Sequence, residues 1–335
     1  MVSTGVLGAS GFLGAELLRL CAGHPELNVE VVTGDTQAGT AVGALYPSLS
    51  AAYPGLHYTS YAPEALDGLD LVFCALPHGR SQELVPDLRT RVKRIVDLAA
   101  DYRLRDASLY PQWYGVAHHN PELLGEAVYG LPELTRDALH DATLVAAAGC
   151  YPTTATLALK PLLDAGLAER AGIIVDAASG VSGAGRDKFP FCGTDEDFTA
   201  YGLLDHRHTP EIEQNLDASV LFTPHLAPMN RGILATCYSR PARDTSTTEA
   251  LDVLRAAYVD EPFVVVTDAP PSTKATLGSN TAHVSARVDP RTGWVVALCA
   301  IDNLVKGGSG QGIQCANIAL GLDETAGLPV AGLYP

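Results

Sequence analysis

Three glycines at a fixed spacing, directly after the first apolar run, constrain the fold of this chain more than any other feature. Gly8, Gly11 and Gly14 follow the apolar run 2–7 and open the helical sequence 15–20. Such glycines permit a tight turn and let backbone approach a pyrophosphate at the helix N-terminus. A strand–helix turn without a ligand is the alternative, but a position on the first strand favours dinucleotide binding. The expected cofactor contacts are Gly8, Ser10, Gly11, Phe12, Leu13 and Gly14.

Apolar runs alternate with helical patterns through the first 150 residues. The pattern predicts strands near 2–7, 28–33, 70–75, 94–98 and 143–147, and helices near 11–22, 81–88 and 152–165. This alternation predicts an α/β fold whose first domain is a Rossmann-type parallel sheet covered by helices.

The pattern changes after about residue 170. Alternating apolar residues predict antiparallel strands near 233–239, 282–288 and 294–301, with a hairpin turn at 289–293. We therefore expect a second, α+β domain with a mixed sheet. The tail from Gly307 to about Leu322 predicts a helix that packs back on the first domain. The predicted domains are 1–149 with 303–335 for the dinucleotide, and 150–302 for catalysis and dimerisation.

Composition excludes several classes of function. The net charge of −16 disfavours nucleic acid and anionic membrane partners. No apolar run is long enough to span a bilayer, and the N-terminus enters a strand directly, so we expect a cytoplasmic protein. The seven cysteines have no spacing typical of a metal site or a disulfide framework. We expect no metal.

Cys150 differs from the other cysteines because it lies between Gly149 and the helix-start residue Pro152. Pro is favoured in the first turn of a helix, where its missing N–H costs nothing. A helix N-terminus stabilises a thiolate and can donate to an oxyanion. A buried structural cysteine is the alternative. The context favours a nucleophile.

A thiolate nucleophile needs an acid/base partner. His206 and His208 flank Arg207 just before the helix start 209–212, and they are the candidates. A metal pair or a solvated cluster are the alternatives, and no third metal ligand lies nearby in sequence. His78 and the pair at 118–119 are weaker candidates.

Other segments are expected to line the cofactor cleft. The end of the second strand carries Thr33 and Asp35, and an acid there favours the ribose hydroxyls of NAD. The run Leu76-Pro77-His78 follows the third strand, and the small-residue loop 179–186 ends in Arg186. The segment 302–310 ends a predicted strand and opens the last helix. Across these segments, the residues expected to contact the cofactor are Thr33, Asp35, Leu76, Pro77, His78, Ser179, Gly180 and Asn303.

Together these segments resemble the N-acetyl-gamma-glutamyl-phosphate reductase family of semialdehyde dehydrogenases. The matching segments are Gly8–Gly14, Ala75–Gly79, Asp97–Leu104, Tyr129–Glu133, Gly149–Thr153, Ser179–Arg186, His206–Ile212 and Asp302–Gly310. The chain departs from the family pattern at Ala148, where proline is usual, and at Thr154, where a small residue is usual.

The resemblance implies NADPH-dependent reduction of an acyl phosphate to an aldehyde in arginine biosynthesis, by a homo-oligomer (dimer or tetramer). It implies Cys150 as nucleophile and His208 as acid/base, because the family pattern has its catalytic histidine at a helix start. It also implies substrate contacts from Arg103, Arg186, His206 and Arg207. The family uses NADP(H), which outweighs Asp35 in our expectation.

Three other classes of protein share parts of this pattern. A reductase of carrier-linked aminoadipyl phosphate in lysine biosynthesis is the nearest, but it tends to have Asn-Ala where this chain has Tyr151-Pro152 and lacks the loop 179–186. A non-catalytic dinucleotide sensor would not need the helix-start cysteine. Short-chain dehydrogenases share the glycine motif but use Tyr-x-x-x-Lys, and none of the 13 tyrosines has a lysine four residues later.

Overall fold

The structure is a computed structural model that describes residues 1–186 and 193–334. Its helices are α1 (Phe12–Cys21), α2 (Val42–Leu45), α3 (Ser81–Arg91), α4 (Leu109–Tyr114), α5 (Pro121–Leu124), α6 (Pro132–Leu139), α7 (Cys150–Asp164), α8 (Thr209–Leu216), α9 (Thr247–Ala257), α10 (Thr273–Thr276) and α11 (Gly310–Leu320). No helix in the described ranges combines the length and apolarity needed to cross a membrane.

The strands of the first half are β1 (Val2–Leu7), β2 (Leu27–Val32), β3 (Leu71–Cys74), β4 (Arg94–Asp97), β5 (Val128–Gly130) and β6 (Leu144–Ala147). Those of the second half are β7 (Ile173–Gly180), β8 (Thr199–Ala200), β9 (Val220–Ala227), β10 (Ile233–Ser239), β11 (Val264–Val266), β12 (Ala282–Val288) and β13 (Val295–Ile301).

Residue contacts divide the chain into two compact units. The first unit is Met1–Ala148 with Gly308–Leu328, and the second is Gly149–Gly307 with Pro329–Pro335. The predicted domains differ from these units chiefly at 303–307 and 329–335, which group with the second unit. The C-terminal residues group with the second unit because their backbone forms hydrogen bonds with it: the Leu333 N–H donates to the carbonyl of Leu277 at 2.7 Å.

The first unit contains a sheet of order β2-β1-β3-β4-β6-β5 in which all neighbouring strands are parallel. The predicted Rossmann-type sheet is confirmed. β3 and β6 are buried throughout, as expected of central strands covered on both faces. The sequence reasoning missed β5, whose three residues are too few to show a period.

Helix α11 belongs to the first unit, as predicted, but it is not amphipathic. Residues 310–319 are all buried, including Gln314 and Asn317. Their amides are paired inside the unit. Gln314 donates to Glu324 at 2.8 Å, and the side-chain oxygen of Asn317 lies 2.9 Å from Nε2 of His24. Buried polar side chains with partners can replace an exposed polar face.

The second unit contains a mixed sheet of order β11-β12-β13-β10-β7-β9-β8, as predicted. β12 and β13 pair antiparallel across a turn closed by the bond from the Gly293 N–H to the Asp289 carbonyl at 2.8 Å. Helices α7, α8 and α9 pack against this sheet. The core between them includes Leu157, Leu159 and Val175.

Candidate active site

The glycine loop joins β1 to α1 in the first unit. Gly8 has φ of +73°, and a side chain there would collide with the carbonyl of Ala75, so only glycine fits. Gly14 packs against the backbone of Ala9 just as closely. Gly11 is different, because an added Cβ would meet only the Gly8 carbonyl, at an ordinary 3.6 Å.

This geometry fits a dinucleotide. Two of the glycines are required by packing, whereas the third, Gly11, at the N-cap of α1, has room for a Cβ. A helix N-terminus directs N–H groups and positive potential at an anion. The residues present therefore suit a pyrophosphate at this turn.

The second strand supports the loop. The Thr33 hydroxyl accepts the Gly8 N–H at 3.1 Å. The backbone carbonyl of Ser10 accepts a hydrogen bond from the Tyr46 hydroxyl at 2.8 Å. Asp35 is exposed, and its carboxylate accepts the Tyr61 N–H at 2.9 Å. Of these expected cofactor contacts, Thr33 thus has a clear structural role of its own.

The segment after β3 lies beside the same turn. A Cβ at Gly8 would lie 3.4 Å from Cδ2 of Leu76, so Leu76 adjoins the glycine loop. Pro77 and His78 are exposed, and the His78 ring is 6.0 Å from that of Tyr114. These positions leave Pro77 and His78 accessible to a ligand.

Arg103 is buried in the first unit. Its Nε donates to the Ala147 carbonyl and its Nη2 to the Leu98 carbonyl, both at 2.8 Å. These bonds join the carboxyl ends of β4 and β6. The sequence predicts that Arg103 contacts the substrate, but two nitrogens of its guanidinium bind backbone carbonyls at the carboxyl edge of the sheet.

Cys150 is the first residue of α7 in the second unit. It is half-buried, whereas Cys21, Cys74, Cys237, Cys299 and Cys315, the other described cysteines, are fully buried. The N-cap residue Gly149 is held on both sides. Its N–H donates to a carboxylate oxygen of buried Glu211 at 2.8 Å, and its carbonyl accepts the Thr153 hydroxyl at 2.9 Å.

The histidine block lies at the start of α8. His208 is the N-cap of that helix, and its N–H donates to Nδ1 of His206 at 3.1 Å. Burial, together with the adjacent charge of Arg207, lowers the pKa of His206 to about 4. Its ring is therefore neutral at physiological pH. Arg207 itself is exposed.

Tyr151 connects the cysteine and the histidines. Its ring lies edge-on to those of His206 and His208, with centroids 5.5 and 5.9 Å away. Its hydroxyl accepts that of Tyr201 at 3.0 Å, and burial raises its pKa far above the usual value. The residue after Cys150 therefore contacts both histidines.

The loop predicted to approach the cofactor is tied within the second unit. Gly180 packs so closely on the backbone of Asn230 and Arg231 that a Cβ would lie 2.7 Å from the Arg231 nitrogen. The Asn303 amide accepts the Gly232 N–H at 2.7 Å and donates to the Ser182 hydroxyl at 3.0 Å.

Ser179 and Arg186, two further predicted site residues of this loop, differ in their burial. Ser179 is buried and Arg186 is half-buried, the last residue before a gap in the described ranges. Asp187, Lys188 and Cys192 lie outside the described residues. Within those ranges, no group of three or more His, Cys, Asp or Glu could hold a metal.

Sequence reasoning missed Glu211 and Tyr151 as site residues. Glu211 resembled an ordinary acid in the first turn of a helix, where it interacts favourably with the dipole. In the structure its partner is the Gly149 N–H, 62 residues away. A buried glutamate is rare unless it is paired, but burial is not visible in the sequence.

Comparison with known proteins identifies the family of both units. Two family models match: "Semialdehyde dehydrogenase, NAD binding domain" over residues 3–142, and "Semialdehyde dehydrogenase, dimerisation domain" over residues 150–303. Among solved structures, aspartate semialdehyde dehydrogenase from Candida albicans, with NADP, gives a TM-score of 0.69 at 16% identity and covers 95% of this chain and 98% of that one. The fold is that of semialdehyde dehydrogenases.

Full-length relatives are more specific. Proteins from Desulforudis audaxviator and Geobacter sulfurreducens are each 47% identical, cover both chains completely and are named N-acetyl-gamma-glutamyl-phosphate reductase. The chain belongs to the N-acetyl-gamma-glutamyl-phosphate reductase family of semialdehyde dehydrogenases. The resemblance inferred from the motifs is confirmed, and the protein is an oxidoreductase.

Proposed function

We propose that this enzyme reduces N-acetyl-gamma-glutamyl phosphate to N-acetyl-L-glutamate 5-semialdehyde, with release of phosphate, in arginine biosynthesis. The observation that carries the proposal is the placement of Cys150. It is the one half-buried thiol among the described cysteines, it starts a long helix, and the residue beside it contacts two histidines.

The first half of the reaction is acyl transfer. The Cys150 thiolate attacks the acyl carbon of the substrate, the bond from that carbon to the phosphate oxygen breaks, and phosphate leaves. A thioester on Cys150 remains. N–H groups in the first turn of α7 are suited to stabilise the negative charge that develops on the acyl oxygen.

The second half is reduction of the thioester. The glycine loop of the first unit would hold NADPH, which would supply the hydride. Hydride at the thioester carbon gives a thiohemiacetal, and its collapse releases the aldehyde and regenerates the Cys150 thiolate. Covalent catalysis thus divides a difficult step into two easier ones.

We assign the acid/base role to His208. A general base is most effective when its pKa is near the working pH. His206 fails this criterion because its pKa is about 4. In our proposal His208 accepts the thiol proton and then gives it to the departing phosphate oxygen, while His206 supports His208 through the bond between the His208 N–H and Nδ1 of His206.

The anionic substrate needs positive charge in an acidic protein. We propose Arg103, Arg186, His206 and Arg207 as the residues that contact its phosphate or carboxylate. Arg207 is exposed and can therefore be reached from solvent, in contrast to the buried Arg103. Arginine suits this task because its planar fork matches carboxylate and phosphate.

The most direct test is the reverse reaction. N-acetylglutamate semialdehyde and inorganic phosphate should reduce the oxidised cofactor, and omission of phosphate should abolish turnover. Turnover only with a carrier-linked aminoadipate semialdehyde would favour the lysine-pathway reductase. Cofactor binding without turnover on either would favour a dinucleotide sensor, as would iodoacetamide labelling of Cys150 no faster than that of the other cysteines.

The assay should be run with NADP and NAD in parallel. We propose that the cofactor is NADP(H), because the family that the motifs resemble uses it. One local feature opposes it: Asp35 lies at the end of β2, and no lysine or arginine occurs between Arg19 and Arg80. A 2′-phosphate is usually met by arginine there. A higher kcat/KM with NAD would show that Asp35 sets the preference.

We further propose that the second unit forms a homo-oligomer through its sheet. The family model matched there is a dimerisation domain. The sheet face opposite the helical core carries half-buried Tyr238 and Val296, which pair across β10 and β13, as well as half-buried Leu298 and the exposed Leu221. Leu298→Glu should lower the mass measured by light scattering, whereas unchanged mass would place the interface elsewhere.

A further inference from the structure

An unusual helical segment precedes α11. Residues Val305–Ser309 form a π-helix, and the Gly307 N–H donates to the carbonyl of Asp302, five residues earlier, at 2.9 Å. Short π-helical turns are rare and occur frequently at functional sites. The segment's conformation therefore needs an explanation.

Asp302 fixes the start of this segment. Its buried carboxylate accepts the N–H groups of Leu304 and Val305 at 2.8 and 3.1 Å, and that of Gly278 at 2.7 Å. Arg231 pairs with the same carboxylate at 3.1 Å. A buried acid with this many partners holds the chain direction firmly.

Gly307 is where the segment meets the nucleophile. A Cβ on Gly307 would lie 2.7 Å from Cβ of Cys150 and 3.3 Å from its Cα. It would also lie 3.0 Å from Cδ1 of Ile301. Cβ and Cα of Cys150 are not the far end of a flexible side chain, so they cannot move without moving the start of α7.

We propose that Gly307 is a positioning residue for Cys150. Because Gly307 has no side chain, the π-helical segment can pack directly on the Cβ of Cys150 and fix the direction of its Sγ. This inference rests on the proposed role of Cys150 as nucleophile. Small displacements of a reacting group are costly, and about 1 Å can reduce the rate about 100-fold.

The first test is Gly307→Ala. We expect kcat to fall about 10- to 100-fold with a smaller change in KM, and the rate of Cys150 alkylation by iodoacetamide to change. Gly312→Ala is the matched control, because an added Cβ there meets only Leu98, at 3.5 Å. An unchanged kcat and alkylation rate in Gly307→Ala would overturn the proposal.

The second test does not need turnover. In a Cys150→Gly background the closest clashing atom is gone, so Gly307→Ala should lower the melting temperature less than it does in the parent chain. An equal loss in both backgrounds would show that residue 307 does not act on Cys150. The role of Cys150 is tested separately, because activity in Cys150→Ser would refute the proposed function and leave this coupling measurable.

Discussion

Two helix N-termini in this molecule follow a strand and a glycine, yet they are built for different tasks. At α1, the N-cap Gly11 has room for a Cβ, which would meet only the Gly8 carbonyl at an ordinary contact distance. At α7, the N–H of the N-cap residue Gly149 donates to the carboxylate of Glu211, and Gly307 packs on Cys150. One terminus is left open for a ligand, and the other is closed around its own side chain.

The difference shows how one local structure serves two kinds of chemistry. A mobile ligand needs room to enter and the positive potential of a helix N-terminus, which the glycine turn before α1 provides. A nucleophile needs a fixed direction, so its helix start is held by neighbouring groups from other parts of the chain. Variants at the two termini should therefore fail in different ways.

The largest effect is expected at the closed terminus. Cys150→Ser should lower turnover by at least about 10³-fold, because removal of a covalent nucleophile leaves only binding and electrostatic contributions. Cofactor binding, measured by fluorescence titration, should be retained. Cys237→Ala is the control, since this buried thiol should leave turnover within about twofold. Substantial activity in the serine variant would remove Cys150 from the mechanism.

Variants of His208 and His206 should distinguish an acid/base role from a supporting role. His208→Asn should lower kcat by about 10²- to 10⁴-fold and remove one limb of the pH–rate profile, because the proposed general acid/base is lost. His206→Asn should have a smaller effect and keep the shape of that profile. A flattened profile in His206→Asn, with a normal one in His208→Asn, would reverse the assignment.

The open terminus should show a pure binding defect. Gly11→Ala has room in the fold but places a methyl group where the pyrophosphate would lie, so the cofactor Kd should rise about tenfold, or ~1.4 kcal/mol. Gly8→Ala should instead lower the melting temperature, because its φ is +73° and the Ala75 carbonyl blocks the side chain. Equal cofactor affinity in Gly11→Ala and wild type would contradict dinucleotide binding at this turn.

The smallest effect concerns pH and stability in the second unit. Burial and Arg207 lower the pKa of His206 from 6.5 to about 4, so between these values the unfolded chain binds more protons than the folded one. The free energy of unfolding should therefore fall as pH drops from 6.5 to 4. His206→Asn should weaken that dependence in thermal unfolding from pH 4.5 to 7.5. Parallel curves would show that His206 is not buried in solution.

Much of the fold was predictable because its signals are local. The alternation that predicts the parallel sheet depends on apolar runs of a few residues, and the hairpin at 289–293 depends on adjacent turn residues. Short elements such as β5 and the buried helix α11 were not predictable in detail. Three residues show no period, and a polar side chain paired inside the core looks identical in sequence to an exposed one.

The sequence by itself determined the chemical components: the glycine turn, a cysteine between Gly149 and Pro152, and a histidine block at a helix start. The tertiary structure decided their environments. Glu211 meets Gly149 across 62 residues, Gly307 packs on Cys150, and Arg103 binds backbone carbonyls instead of standing free. Local sequence sets the conformation of a turn or a helix start, but only the packing of distant segments determines which groups share a buried space.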